Sequence, residues 1–470
     1  MKQLFLLFLI FPLFGNNPKL YVNNTQELID AFQKAKPGTV ILLNDGTYDG
    51  KLVFDNKSGT RNNPITIKAA SRGKAEVHTV FEITGDFIHI EGLTFVENGS
   101  LELLGKKIRV SHCKWDDSKS RKWLRVLLGS SLIEIAHNTF QNKNFNSKYS
   151  KGCQLLQIVV ANKNEQHHIH HNLFKNIVEG NGNGFETIQL ITDKNPFNPP
   201  PGSSNSVIED NYFERANGEA EIISIKSNGN TIRKNIFKNC KGSLVLRHGD
   251  DNTVTRNFFF GTEESKSGGI RIQGSGHLIS NNYFQDLGAF GMGMMDGTPD
   301  ELYVRVSDVQ VLHNTFVNCN DTFQIGINHS KYPNGSTPMN CIVEGNIFFF
   351  ETENPDDTVI HFVQDDLPVG WSWKNNLSFG RSSPEISGID PLNPHFTFSE
   401  NGLWIPSQNT PNTYSSNSYK SSSVEIDVFG KKRKKKKTLG AIQFSTSKHK
   451  EIPVEESFGA DRDGSKKRLY

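Results

Sequence analysis

From about residue 87 the chain repeats one short pattern, apolar-x-apolar-x-x-Asn-x-Phe. It is read at IEIAHNTF (Asn138), HIHHNLF (Asn172), VIEDNYF (Asn211), TIRKNIF (Asn235), TVTRNFF (Asn257), LISNNYF (Asn282), VQVLHNTF (Asn314), CIVEGNIF (Asn346) and SWKNNLSF (Asn376), with weaker copies at Gly92 and Cys113. Apolar residues at every second position predict short strands. The anchors fall 21 to 39 residues apart, with most of the shorter intervals at 21 to 25, which is a unit of fixed size carrying loops of variable length. One such unit cannot bury its own apolar face, so copies must stack. Stacked in parallel, each Asn falls above the last and can form an amide ladder, and each Phe joins an interior pile. Propeller blades need about 40 residues and their own signatures. The pattern therefore predicts an all-β chain folded as a right-handed parallel β-helix. Ahead of the repeats, NTQELIDAFQKA reads as a short capping helix, with Asn24 and Glu27 at capping-box spacing. TVILLNDGTY then reads as a first buried strand ending in an Asp-Gly turn.

Composition sharpens this picture. The 470 residues carry a formal charge of +2, without the basic excess of a general nucleic-acid binder. Lys2 followed by the apolar run Leu4 to Phe14 reads as a signal peptide over residues 1–15, too short to span a bilayer, so the protein is expected to be secreted or periplasmic. Residues 16–470 are expected to form a single β-helical domain, with repeats over about 87–380 and an irregular C-terminal edge over 381–470. Cys113, Cys153, Cys240, Cys319 and Cys341 are odd in number and lack CxxC spacing, which suits core residues better than a disulfide frame or zinc site. The basic run Lys431 to Lys437 reads as a solvated loop, or as an attractor of polyanions.

Candidate chemistry concentrates between Asn183 and His248. Glu219 and Glu221 lie two apart in GEAEII, so on a strand their carboxylates share one face. With the amide of Asn183 they make a set of hard oxygen ligands suited to Ca2+. SIK ending at Lys226 and VLR ending at Arg247 align at an offset of 21, which puts two cations on adjacent rungs about 5 Å apart. Such a pair invites an anion between them. Glu221 and Lys226 differ in strand parity, so both reach one groove only if a bulge lies between them. HHIHH (His167 to His171) is set aside as a metal cluster, because strand alternation sends neighbours to opposite faces. Asp250-Asp251 looks like the paired carboxylates of β-helical polygalacturonases, but no earlier Asp motif accompanies it.

Together NGFETI (183–188), EAEIISIKS (219–227), LRHG (246–249), GSGHLISNNYF (274–284) and DVFGKKR (427–433) with Gly440-Ala441 resemble polysaccharide lyase family 6, which holds alginate lyases and the chondroitinase B type of dermatan sulfate lyase. The resemblance covers most of the chain. It implies a right-handed parallel β-helix, Ca2+ held by Asn183, Glu219 and Glu221, Lys226 as base and Arg247 as acid, with His248 in the active site as a substrate contact. Arg271 and Gln189 are further expected substrate contacts. Gln189 stands where the family pattern leads one to expect an Arg.

The chemistry so implied is β-elimination at a uronate: the C5 proton is removed and the C4 oxygen leaves. Because a guanidinium is a poor acid, Arg247 is better suited to stabilising the leaving oxygen, with water as donor. The expectation is a calcium-assisted alginate lyase acting on an anionic polysaccharide. The rivals are a dermatan sulfate lyase and a non-catalytic β-helical polyanion binder.

Overall fold

The computed structural model describes residues 18–144, 152–193, 197–300, 302–363, 369–414, 424–433, 436–446 and 451–462. The apolar stretch read as a signal peptide lies outside them. Three parallel sheets run the length of the molecule. The first has 14 strands, from Lys19–Val22 to Ser372–Lys374; the second has 14, from Gly46–Tyr48 to Ile389–Asp390; the third has 12, from Leu52–Phe54 to Ile360–Phe362. Each coil visits the three in turn, as Val207–Glu209, Tyr212–Ala216 and Glu221–Lys226 do. Every strand of that coil pairs with those one coil earlier and later. This is the right-handed parallel β-helix that the repeat implies. Its stacking begins at Lys19–Val22, so coils before residue 87 share the architecture without the Asn-x-Phe signature.

The signature has a direct physical counterpart. From Asn138 to Asn376 the nine anchor amides form an unbroken column: the first eight each donate Nδ2 to the Oδ1 one coil on, at 2.9 to 3.1 Å. Each Oδ1 also accepts a backbone N–H from the preceding coil, beginning with that of Cys113. All nine are fully buried, so the column answers the requirement that buried polar groups be paired. Two residues on, the rings of Phe95, Trp115, Phe140, Phe174, Phe213, Phe237, Phe259, Phe284, Phe316 and Phe348 stack at 4.4 to 5.2 Å, with planes within 16° of parallel. Isolated aromatic pairs favour offset or edge-on contacts. Here the strand spacing of about 4.8 Å imposes the stack.

The helix Thr25–Lys34 covers the first coils. Asn24 Oδ1 accepts the Glu27 N–H at 3.0 Å, and the Glu27 carboxylate returns to the N–H of Asn23, one residue earlier than a standard capping box. Leu28, Ala31 and Phe32 are buried, and Phe32 lies against Phe54 at 4.3 Å. All five cysteines are buried, as core residues.

Beyond residue 390 the chain runs back along the outside of the second sheet as a strap. The residue between each Asn and Phe faces outward, and Leu173, Tyr212, Ile236, Phe258, Tyr283 and Ile347 form a second apolar cluster with Leu403, Val428, Leu439, Ala441 and Phe458 of the strap. Ala441 N–H donates to Thr315 Oγ1 and Ala460 N–H to Thr139 Oγ1, so the strap travels from late coils to early ones. The basic run is not simply a solvated loop. Arg433 is buried and donates to Asn281 Oδ1, Thr438 O and Gly440 O, which ties the strap to a turn of the helix. Lys434 and Lys435 lie outside the described residues.

Candidate active site

The third sheet carries a cleft of about 530 Å³ lined by Asn183, Glu186, Gln189, Phe197, Glu219, Glu221, Lys226, Arg247, Arg271 and Tyr303, among others. Two register slips shape it. Between Glu221–Lys226 and Gly242–His248, Glu221 pairs with Ser243 but Ile223 with Leu244, so Ile222 is an extra residue. Ile222 and Ile223 are both buried in the core cluster, and Glu221, Ser224 and Lys226 consequently share the outer face. Ser224 Oγ donates to Glu221 Oε2 at 2.6 Å. This is the bulge that the parity mismatch demanded. The second slip makes Lys226 pair with His248 and leaves Arg247 as the extra residue on its strand. Thus the 21-residue offset holds from Ile223 to Ile225 and ends there.

Three carboxylates converge at the corner between the second and third sheets. Oxygens of Glu186, Glu219 and Glu221 all lie within 4.8 Å of one another. Glu186 belongs to the NGFETI motif, but its spacing from Glu219 gives no hint that one coil closure brings them together. Burial, then the charges of Glu186 and Glu221, push the Glu219 carboxyl up to about 8. Gly184 N–H donates to Glu219 Oε2 at 2.9 Å. Asn183 lines the same cleft. Hard oxygen donors crowded until one resists ionisation fit a divalent cation of the Ca2+ class.

The cations stand over this cluster. Lys226 Nζ lies 3.6 Å from Glu186 Oε1, and Arg247 Nε 3.4 Å from Glu221 Oε1. Arg271 Nη2 also bonds Glu221 Oε1. Arg247 Nη1 donates to Gln273 Oε1 at 2.9 Å, and its guanidinium sits 4.4 Å from the Tyr303 ring. Tyr303 is a cleft residue the sequence did not mark, because the aromatic comes from a loop 56 residues away in a chain rich in aromatics.

Two expected substrate contacts are placed differently. Gln189 is buried; its Nε2 donates to Glu186 Oε1 at 2.6 Å and its Oε1 accepts from Gln157 Nε2 at 2.7 Å. It holds Glu186 in place, with both ends of its amide already engaged. His248 is 1% exposed and packs beneath Phe197, ring centroids 5.3 Å apart. Burial, then Arg247 and Lys226, push its imidazole down to about 3, so it is neutral. Phe197 comes from the Pro-rich insertion, which is pinned where Asn228 Nδ2 donates to Pro200 O and Gly202 O. Asp250 accepts the N–H of Ser275 at a turn and does not line the cleft.

The family model for chondroitinase B matches residues 22–386. The chain belongs to the chondroitinase B family, within polysaccharide lyase family 6. Among solved structures, this family member is similar to the PL6 family alginate lyase AlyGC, with 27% identity over 83% of this chain and a TM-score of 0.73. It spans only 55% of the length of that lyase. It is also similar to a mannuronic acid specific family 6 lyase from human gut microbiota, with 25% identity, a TM-score of 0.68, and coverage of 80% of this chain and 91% of that one. A PL6 alginate lyase in complex with a trisaccharide shares the fold, with 20% identity, a TM-score of 0.71, and coverage of 84% and 92%. No curated protein sequence matches. Among the described residues, no helix is long and apolar enough to cross a membrane.

Proposed function

We propose that this family member is a secreted or periplasmic lyase that cuts alginate by β-elimination, leaving an unsaturated uronate at the new end. The observation that carries the reading is a single cleft in which the amine of Lys226 and the guanidinium of Arg247 stand beside the Glu186, Glu219 and Glu221 carboxylates.

In this reading Lys226 takes the C5 proton of a bound uronate. The C5–H electron pair becomes the C4–C5 double bond as the C4–O bond breaks, and the departing oxygen is protonated by water. Arg247, held by Glu221, Gln273 and the Tyr303 ring, stabilises the charge on that oxygen. A Ca2+ bound by Asn183, Glu186, Glu219 and Glu221 would supply neutralisation of the substrate carboxylate and of the negative charge that grows on it. Arg271 offers a further cation at the cleft wall, and Phe197 an apolar face against the sugar ring.

Alginate is preferred because similar structures at 25% identity or above include an alginate lyase and a mannuronic acid specific lyase. Dermatan sulfate is the second substrate to test, since the matching family model is chondroitinase B. The test is ultraviolet absorbance of the unsaturated product on incubation with each polymer in the presence of calcium. Absorbance with alginate alone supports the reading. Absorbance with dermatan sulfate alone moves the substrate, and silence with both leaves a polyanion binder.

A further inference from the structure

A second cluster of ligand-type side chains lies at another corner of the coil, where the first sheet turns into the second. One residue before each ladder Asn the backbone is left-handed, and in two successive coils that residue is His137 (φ 55) and His171 (φ 56). His170 ends the strand His168–His170. Alternation would send His170 and His171 to opposite faces, but the left-handed turn at His171 swings its ring back. Their Nδ1 atoms are 2.9 Å apart. A ring nitrogen of His137 from the preceding coil completes a set lying within 4.8 Å of one another.

The geometry suits a metal. Centroid separations are 4.9 Å for His137 and His171, 5.1 Å for His170 and His171, and 5.9 Å for His137 and His170, with the last two pairs near perpendicular. Three imidazoles around a tetrahedral ion at Zn–N distances of about 2.0 Å put their centroids about 5 Å apart. His170 Nε2 lies 3.2 Å from Glu134 Oε1, the carboxylate–histidine contact that orients a metal-bound imidazole. That contact is also the main cause holding the Glu134 carboxyl below its usual range. Nδ1 of His137 is buried and makes no hydrogen bond. Arg462 and Lys234 oppose a cation here, and Glu134 and Glu209 favour one.

We infer that His137, His170 and His171 bind a nitrogen-preferring transition-metal ion of the Zn2+ class, at a site separate from the carboxylates of the cleft. Imidazole ligands select such ions, whereas the oxygen cluster selects Ca2+. Bound there, the ion joins two adjacent coils directly beneath the end of the strap, where Gly459 N–H donates to His171 O.

The experiment uses the full chain without a histidine tag, stripped of metal and then saturated with Ca2+. Zinc is added alone and followed by calorimetry and thermal unfolding. One equivalent of Zn2+ that excess Ca2+ does not displace, with a rise in Tm, is expected. His170→Ala and the milder His137→Gln should lose zinc binding by at least about tenfold while keeping the calcium response. Co2+ in the unaltered chain should give the intense visible bands of a tetrahedral nitrogen site, a readout independent of whether a variant folds. Zinc displaced by calcium, zinc binding unchanged in both variants, or octahedral Co2+ bands would overturn the inference.

Discussion

Lys226 faces His248 across the parallel ladder, and Arg247 is the extra residue that the strand Gly242–His248 inserts beside it. The bulge puts two consecutive side chains on the cleft side. Arg247 is thereby free to reach Glu221 and Tyr303, while His248 is sealed beneath Phe197. Bulges re-aim side chains next to active sites, and here one aims the guanidinium proposed to stabilise the leaving oxygen and another the proposed base.

Lys226→Ala should lower kcat on alginate by at least about a hundredfold, the usual contribution of a positioned base. Its Tm should change little, because the amine lies at the cleft surface. Retained turnover in a folded variant removes Lys226 as base.

Arg247→Ala should lower kcat more than it raises KM, if the guanidinium acts on the leaving oxygen and not on the bound substrate. A rise in KM alone would reassign Arg247 to substrate binding. Tyr303→Leu, which removes the aromatic face under the guanidinium, should have the same signature at smaller size.

The acid cluster makes stability depend on pH in the metal-free chain. The folded chain holds a proton on Glu219, raised from 4.5 to about 8, that the unfolded chain gives up at lower pH. The favourable contribution is complete below about pH 4.5 and is lost as pH climbs through about 8. Calorimetric Tm measured across this window should therefore fall with pH, and Glu219→Gln or saturating Ca2+ should flatten the slope. A chelator should also suppress turnover, with calcium restoring it. A flat Tm profile in metal-free protein would mean that the carboxylates do not repel one another.

Asn235→Ala tests the amide column. It removes a partner from the Asn211 N–H and Nδ2, the Ile208 carbonyl and the Asn257 Oδ1, the last of which keeps the N–H of residue 235; a buried group left unpaired costs about 1–3 kcal/mol. A loss of at least about 3 kcal/mol in denaturant unfolding is expected. A loss under about 1 kcal/mol would show the column to be dispensable.

Phe197→Ala should expose His248 and weaken substrate retention, raising KM with folding intact. Unchanged kinetics would confine the insertion to a structural role.

The architecture was legible because it is periodic. Asn-x-Phe states twice per coil what stacking requires, a paired amide in the turn and a ring in the pile, and each copy needs only its own local pattern to be read. Of the residues expected in the cleft, Asn183, Glu219, Glu221, Lys226, Arg247, Arg271 and Gln189 line it, since residues on one face of neighbouring coils must share a groove, and His248 does not. What sequence could not supply is anything set by register slips and loop closure. Glu186 joins the acids because one coil closes over another. Gln189 turns to Glu186 because the amide finds a carboxylate three residues back before any ligand. His170 and His171 converge because one left-handed residue defeats alternation, and Arg433 is buried because the strap returns over turns formed some 150 residues earlier. Strand period and turn chemistry are local, so sequence determined the coil. Side-chain aim depends on single-residue slips between strands far apart in the chain, and only the folded stack decided it.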